Sequence, residues 1–380
     1  MKSVLLIADV ILSLAFWYQA SVGIEVKGGI MEDVVVADSG ISEYTIQTEF
    51  LGGWLPKGPN SFDIDTSCNI YILDRLGYKI LKYDKNGNLV HSIPIRVEGQ
   101  GQIDAPELYD IAVDDDGEIY VLGDFRKITI EGREVRRRGL MRFSRDGKFL
   151  SQIPSKENEG KGYFKYGMSE FIVTDKHGNI INFGLSFQEP IDIYTSEGEH
   201  QATINYDHEY RDIGISQKAA GDDIYFRSTK YLMRTSPEDF LKTGKPETVV
   251  VLPDKLRLVK YRENKYREEG LVEYPVVLIG YDKNKCFYFH QPEYWYNERG
   301  REVCLIHRIY KFKLEEKQLL LDGMIEIEFQ KGQEECSDKE LFDFAKQFIV
   351  MGDGTIYFLH GTVDKIKVSK ITMEESKNGE

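Results

Sequence analysis

Cysteine is scarce in this chain: the four present, Cys68, Cys286, Cys304 and Cys336, include no Cys-x-x-Cys pair. That excludes zinc-ribbon and dithiol redox motifs. Cys286 and Cys304 fall in consecutive strand patterns, at a spacing that suits opposite ends of a hairpin. A direct bridge needs Cα atoms about 4.4–6.8 Å apart, so buried free thiols are expected. Positive charge is also short, with 49 Lys and Arg against 63 Asp and Glu and a formal net charge of −14. The basic footprint that broad nucleic-acid binding requires is therefore missing. Amphipathic helical stretches are nearly absent, which excludes a parallel α/β sheet. There is no Gly-x-Ser-x-Gly elbow, phosphate-binding loop or dinucleotide fingerprint. The seven histidines show no metal-ligand pair at helical spacing.

What the sequence has is alternation and recurrence. Six apolar anchors, Ile70-Tyr71, Ile119-Tyr120, Ile180-Ile181, Ile224-Tyr225, Phe287-Tyr288 and Ile356-Tyr357, each stand inside a strictly alternating stretch. Turn signals separate the stretches, among them Asn86-Gly87, Asp116-Gly117, Asp146-Gly147, Glu197-Gly198 and Asp353-Gly354. One such unit cannot bury its own apolar face and must lean on its neighbours. Four short strands per unit, repeated radially, predict an all-β fold: a six-bladed β-propeller with four-stranded antiparallel blades. The hydrophobic content of 41% suffices for one large core within 380 residues.

The last unit is short of a strand. After Thr355–Leu359 comes one further alternating stretch, Lys365–Ile371, and then a polar tail over 373–380. Tyr44–Phe50 is a spare strand at the other end, and its pairing into the last blade is expected to close the ring and remove an open edge. Lys2 followed by the apolar run Val4–Trp17 and the small residues Ala20, Ser21 and Gly23 reads as an export signal over 1–23, with an uncleaved anchor as the alternative. A single propeller domain is expected over 33–372, and the protein is expected to be exported, periplasmic or extracellular, and monomeric.

Pro59–Ile93 carries Phe62-Asp-Ile-Asp65, Asn69-Ile-Tyr-Ile-Leu-Asp-Arg75, Lys79-Ile-Leu-Lys-Tyr-Asp84 and Gly87-Asn-Leu89, with Gly52-Gly53 and Pro59 as lead-in. This stretch resembles an NHL repeat; Asp110–Ile153 is a second, interrupted copy, and later copies keep only the strand pattern. The resemblance implies a six-bladed propeller similar to those of exported bacterial proteins, and it carries no function, because the fold hosts scaffolds, lactonases and lyases alike. Related six-bladed lactonases hold calcium on the channel axis. Here Asn60, Asp110, Glu170 and Gln347 stand at strand entrances but not in equivalent places, while Asp63, Asp65 and Asp114–Asp116 read as turn formers on the opposite face.

The connections that gather on one face of such a ring depart from a minimal repeat at two places. Gly123–Gly139 concentrates arginines, of which Arg126, Arg136 and Arg138 are taken as ligand contacts; His290–Arg301 packs Tyr294, Trp295 and Tyr296 beside His290. His360 falls in a loop comparable to that of His290, so both are expected to approach the channel. Arginine offers forked donors and aromatic rings stack on sugars or peptide side chains. The alternative for Gly123–Gly139 is an elongated hairpin with solvated arginines. The functional expectation is an exported, non-catalytic binding scaffold for a peptide, glycan or protein, with no cofactor. A calcium-dependent hydrolase, lactonase or lyase acting at the channel mouth is the alternative, and a structural surface protein the third.

Overall fold

A computed structural model of the chain describes residues 24–49, 57–95, 107–130, 133–153, 169–175, 177–184, 191–204, 224–227, 231–236, 242–243, 247–253, 256, 270–273, 276–296, 302–329, 346–362 and 364–373. The stretch read as an export signal and the polar tail beyond Met373 lie outside the described residues.

Strands gather into separate antiparallel sheets, taken here in chain order. At the N-terminus β1 (Ile24–Lys27) and β2 (Gly29–Asp38) precede the first sheet, made of β3 (Ser61–Ile64), β4 (Ile70–Asp74), β5 (Lys79–Tyr83) and β6 (Leu89–Pro94). The second holds β7 (Leu108–Val113), β8 (Ile119–Ile130), β9 (Arg133–Phe143) and β10 (Phe149–Ile153). The third holds β11 (Ser169–Thr174), β12 (Ile180–Gly184), β13 (Ile191–Tyr194) and β14 (His200–Ile204). The fourth shows three strands, β15 (Ile224–Arg227), β16 (Tyr231–Thr235) and β17 (Glu247–Val251). The fifth is six-stranded: β18 (Gly270–Glu273) and β19 (Val277–Tyr281) both pair with β20 (Cys286–Tyr296), which continues through β21 (Glu302–Glu315) and β22 (Gln318–Phe329) to β1. The sixth joins β23 (Phe348–Val350), β24 (Ile356–Gly361), β25 (Lys365–Met373) and β2. The result is an all-β, propeller-like ring of sheets.

Local chemistry explains the recurrence. In the first turn Asp65 Oδ1 accepts the amides of Ser67 and Asn69 at 2.9 and 2.8 Å. The bend then needs a left-handed residue, supplied by Cys68 at φ 62°, with Gly117, Gly178, Lys285 and Gly354 in the matching turns. Glycine adopts that conformation without a Cβ penalty. The tyrosine of the anchor pair closes the motif, because its hydroxyl donates to the turn aspartate: Tyr71 to Asp65 at 3.0 Å, Tyr120 to Asp114 at 3.3 Å and Tyr288 to Asp282 at 3.0 Å.

Among the described residues six apolar clusters cement the sheets, each joining one to the next. Tyr71, Leu73 and Ile80 of the first meet Ile111, Val121 and Phe143 of the second, and Ala112, Tyr120 and Leu122 meet Ile172, Ile180 and Tyr194 of the third. Ile279, Tyr288, Ile309 and Ile325 of the fifth pack on Phe348, Val350, Phe358 and Ile371 of the sixth. Val35, Ile349, Leu359, Ile366 and Val368 of the sixth pack on Phe62, Ile64, Ile70 and Leu81 of the first. Each fully buried aliphatic or aromatic side chain contributes roughly 1.5–3 kcal/mol.

The terminal pairing corrects one expectation. The strand that fills the last sheet is Gly29–Asp38, paired with Lys365–Met373, not Tyr44–Phe50. Of that segment, Tyr44–Glu49 forms a turn and isolated bridges, with Ile46 buried against the first sheet and Gln47 donating its amide to Asp74. The reason is register: Val35 and Ala37 point inward while Glu32, Val36 and Asp38 face out, a better edge-strand alternation than the polar Thr45-Ile-Gln-Thr48.

Candidate functional site

The first strands of the sheets line the axis, since β7 packs on both β3 and β11, and β19 on both β15 and β23. At their entrance lies a buried polar core. Asp110 is fully buried; it accepts from the Ser61 hydroxyl and from the amides of Ile111 and Ile172, each of these two at 2.8 Å. Lys346, just before β23 in the sixth sheet, reaches between the second and third sheets. Its Nζ lies 2.7 Å from Ile111 O, 3.3 Å from Ile172 O and 3.1 Å from Asp110 Oδ1. Burial pushes the Asp110 carboxyl above the usual carboxylate range, opposed by Lys346 and the hydrogen bonds. Asp63, expected in a turn, lies on β3, where its oxygens accept the amides of Ile64 and Val113 at 2.8 and 2.7 Å. Strand pairing extends one residue before the bend, which the turn-forming bias of aspartate concealed.

A second polar group surrounds Arg138. Its Nε donates to Asp124 Oδ1 at 3.2 Å, and its guanidinium carbon lies 3.7 Å from the centre of the Tyr109 ring. The Tyr109 hydroxyl stands 2.5 Å from Glu107 Oε2 and 2.9 Å from Asp124 Oδ2, and burial followed by these two carboxylates pushes the phenol well up. Asn60 donates to Tyr109 O and accepts from Arg75. Arg138 is thus half-buried and engaged within the protein. Arg126 and Arg136 stand on the extended hairpin of β8 and β9, paired in register as Arg126 with Arg137 and Lys127 with Arg136. Their side chains lie outside the described residues.

His290 and His360 are brought near each other, but not where the sequence suggested. Both lie on strands, β20 and β24, and both are buried, at 9% and 4% exposure, so neither is a loop residue facing solvent. Between them stands His307 of β21, which sequence reasoning passed over; its signal was an inward position in the alternation Leu305–Ile309. His290 Nε2 lies 2.8 Å from His307 Nδ1. His307 contacts the rings of Phe329, Phe348 and Phe358, and His360 stacks on Phe358 with centroids 4.7 Å apart. His360 Nε2 lies 2.7 Å from Ser369 Oγ, which donates to Asp33 Oδ1 at 2.6 Å. Burial pushes His290 down to about 3 and His360 to about 4, and holds His307 well below the usual imidazole value. Neutral imidazoles fill this seam.

Tyr294, Trp295 and Tyr296 also stand on a strand, not in a loop: β20 runs unbroken to Tyr296, opposite Leu305, Cys304 and Glu302 of β21. Added pairing from β18 stiffens this end, as Trp295 faces Leu271 across the register. Their side chains lie outside the described residues. On the opposite face of the same sheet from the histidines, fully buried Glu293 pairs with Arg308, which also donates to Glu326 at 2.9 Å. Cys286 and Cys304 pair with Lys313 and Trp295, so they lie at opposite ends of the hairpin, and Cys286 is a free buried thiol.

Two of the entrance residues considered for an axial calcium ion, Asp110 and Asn60, are already engaged within the protein. Asp110 is held by an ammonium and two amides, and Asn60 by Tyr109 and Arg75. Among the described residues, no three His, Cys, Asp or Glu side chains are grouped to hold a metal.

These features define a β-propeller-type protein. No protein-family model matches the chain, and no curated protein matches it. Among solved structures it is similar to a member of the DUF4221 family from Bacteroides vulgatus, at 13% identity and TM-score 0.52, over 93% of this chain and 99% of that one. It is also similar to virginiamycin B lyase from Staphylococcus aureus, at 10% identity and TM-score 0.42, over 87% and 99% of the two chains. The first likeness is one of fold and supports a β-propeller; the second carries no conclusion about chemistry.

Proposed function

We propose that this chain is an exported six-bladed propeller, NHL-like, that acts as a non-catalytic binding module for a peptide, glycan or protein. The six-blade reading counts each sheet as one blade and closes the ring through β2. It is supported by apolar clusters that join the sheets in succession and the last to the first. Export rests on the apolar run Val4–Trp17 behind Lys2.

The observation that carries the binding reading is a pair of elongated hairpins. Both β8–β9 and β20–β21 outgrow their neighbours at the second-to-third-strand connection, so both rise from the same end of the ring. They carry Arg126 and Arg136 on one and Tyr294, Trp295 and Tyr296 on the other, on stiff paired backbone rather than loops. Preorganised aromatic and arginine anchors are the usual centre of a recognition surface. A scaffold is favoured over hydrolysis at the channel mouth because Lys346 already supplies the cation at the inner strands.

The test is capture on peptide and glycan arrays. Tyr294→Ala with Trp295→Ala is expected to lower capture at least tenfold while the melting temperature stays within a few degrees. Undiminished capture would remove the assignment, and stoichiometric calcium retained after dialysis would favour the hydrolase instead.

A further inference from the structure

The seam between the fifth and sixth sheets holds three imidazoles in an apolar box and ties them to the N-terminal strand. Ser369 has one hydroxyl hydrogen, and the Asp33 carboxylate at 2.6 Å can only accept it. The Ser369 oxygen must therefore accept from His360 Nε2–H at 2.7 Å, which fixes the tautomer and leaves Nδ1 as the nitrogen that can take a proton. Asp33 is meanwhile held by Lys367, whose Nζ lies 2.5 Å from Oδ2. His290 and His307 share one hydrogen across 2.8 Å, and His307 Nε2 is buried without a hydrogen-bond partner.

We propose that this seam is an acid-released clasp: on acidification His290, His307 and His360 take up protons, and β1 and β2 detach from the fifth and sixth sheets. The charges have nowhere to go while the seam is shut. A second proton on the His290–His307 pair would set two N–H groups against each other, and a proton on His307 Nε2 meets phenyl rings. Among the described residues, the groups facing the imidazoles are Asp33 from β2, Lys367 and Ser369 from β25, Phe329 from β22, Phe348 from β23 and Phe358 from β24. Asp33 lies 3.9 Å from His360 Nε2, but Lys367 already engages it and its own charge opposes a second cation.

Release through the N-terminal strands is the cheapest route to water. Among the described residues β2 pairs with β25 and β1 with β22, so opening them breaks one ladder each, together with the packing of Val35 and Ala37 on the first sheet. The sign follows from linkage. Free imidazole titrates near 6.5, whereas His290 and His360 in the closed seam titrate at about 3 and 4. The opened state binds more protons between those values, so closure is at full strength above about 6.5 and weakens as pH falls toward 4.

Hydrogen exchange of the full chain at pH 7.5 and pH 4.5, corrected for intrinsic rates, tests this. In the wild type, amides of Ile24–Asp38 should lose protection roughly tenfold or more relative to those of Lys79–Tyr83 in the first sheet. His360→Gln keeps a donor to Ser369 and cannot take a proton; it should cut that loss at least threefold. His307→Phe, where near-ultraviolet circular dichroism shows it folded at pH 7.5, should do the same. Equal protection at both pH values in the wild type, or an undiminished loss in His360→Gln, overturns the proposal.

Discussion

Lys346 places its ammonium against two carbonyl oxygens and the Asp110 carboxylate, with its stem almost wholly buried at 1% exposure. A buried charge stripped of its partner is costlier than the pair is favourable. Lys346→Met is therefore expected to destabilise the fold by about 3–5 kcal/mol, and Asp110→Asn beside it to recover part of that loss. Urea denaturation of the two variants and their double measures the coupling; additive losses would show that the pair does not act as one unit. Gly87 makes a similar point for backbone. It sits at φ 81° in the turn before β6, and a Cβ there would strike the carbonyl oxygen of Val34 on β2. Gly87→Ala would then strain the turn and push on the N-terminal strand together.

At the scale of elements, the two long hairpins are the departure from a minimal repeat. Replacing the tip of β8–β9 between residues 126 and 137 by a two-residue turn should leave the second sheet intact. Its apolar contacts, Val121, Phe125, Leu140 and Met141, all lie below the cut. A melting temperature within a few degrees of the wild type is expected, because those core contacts are retained. A collapse of the melting transition would mean that the tip packs onto the ring. Legibility also divides at this scale. The anchor pairs mark strands because the Tyr hydroxyl and turn Asp close each bend, a contact within six residues of chain. The elongation of β20 through Tyr294–Tyr296 was not legible: Pro292 and Tyr-Trp-Tyr read as a loop, and only pairing with β18 and β21 makes them strand.

For the whole molecule, Val35 is fully buried where the N-terminal strand meets the first sheet. Val35→Asp should place an unpaired charge in that joint and cost several kcal/mol, since a buried carboxylate has neither partner nor water. A lowered urea midpoint with early exposure of β25 is the expected result; an unchanged midpoint would mean that β2 is dispensable.

The sequence by itself determined what short-range chemistry can dictate: an all-β chain, its anchors and bends, the placement of Cys286 and Cys304 at opposite hairpin ends, and the need for an N-terminal strand in the last sheet. Tertiary structure alone decided which segment supplies that strand, that Lys346 crosses to Asp110, and that His290, His307 and His360 meet in one buried seam. Alternation and turn propensity act over a few residues and are written locally. Partners more than two hundred residues apart, such as Lys346 and Ile111, are chosen by the ring's geometry, which brings distant strands to a common axis.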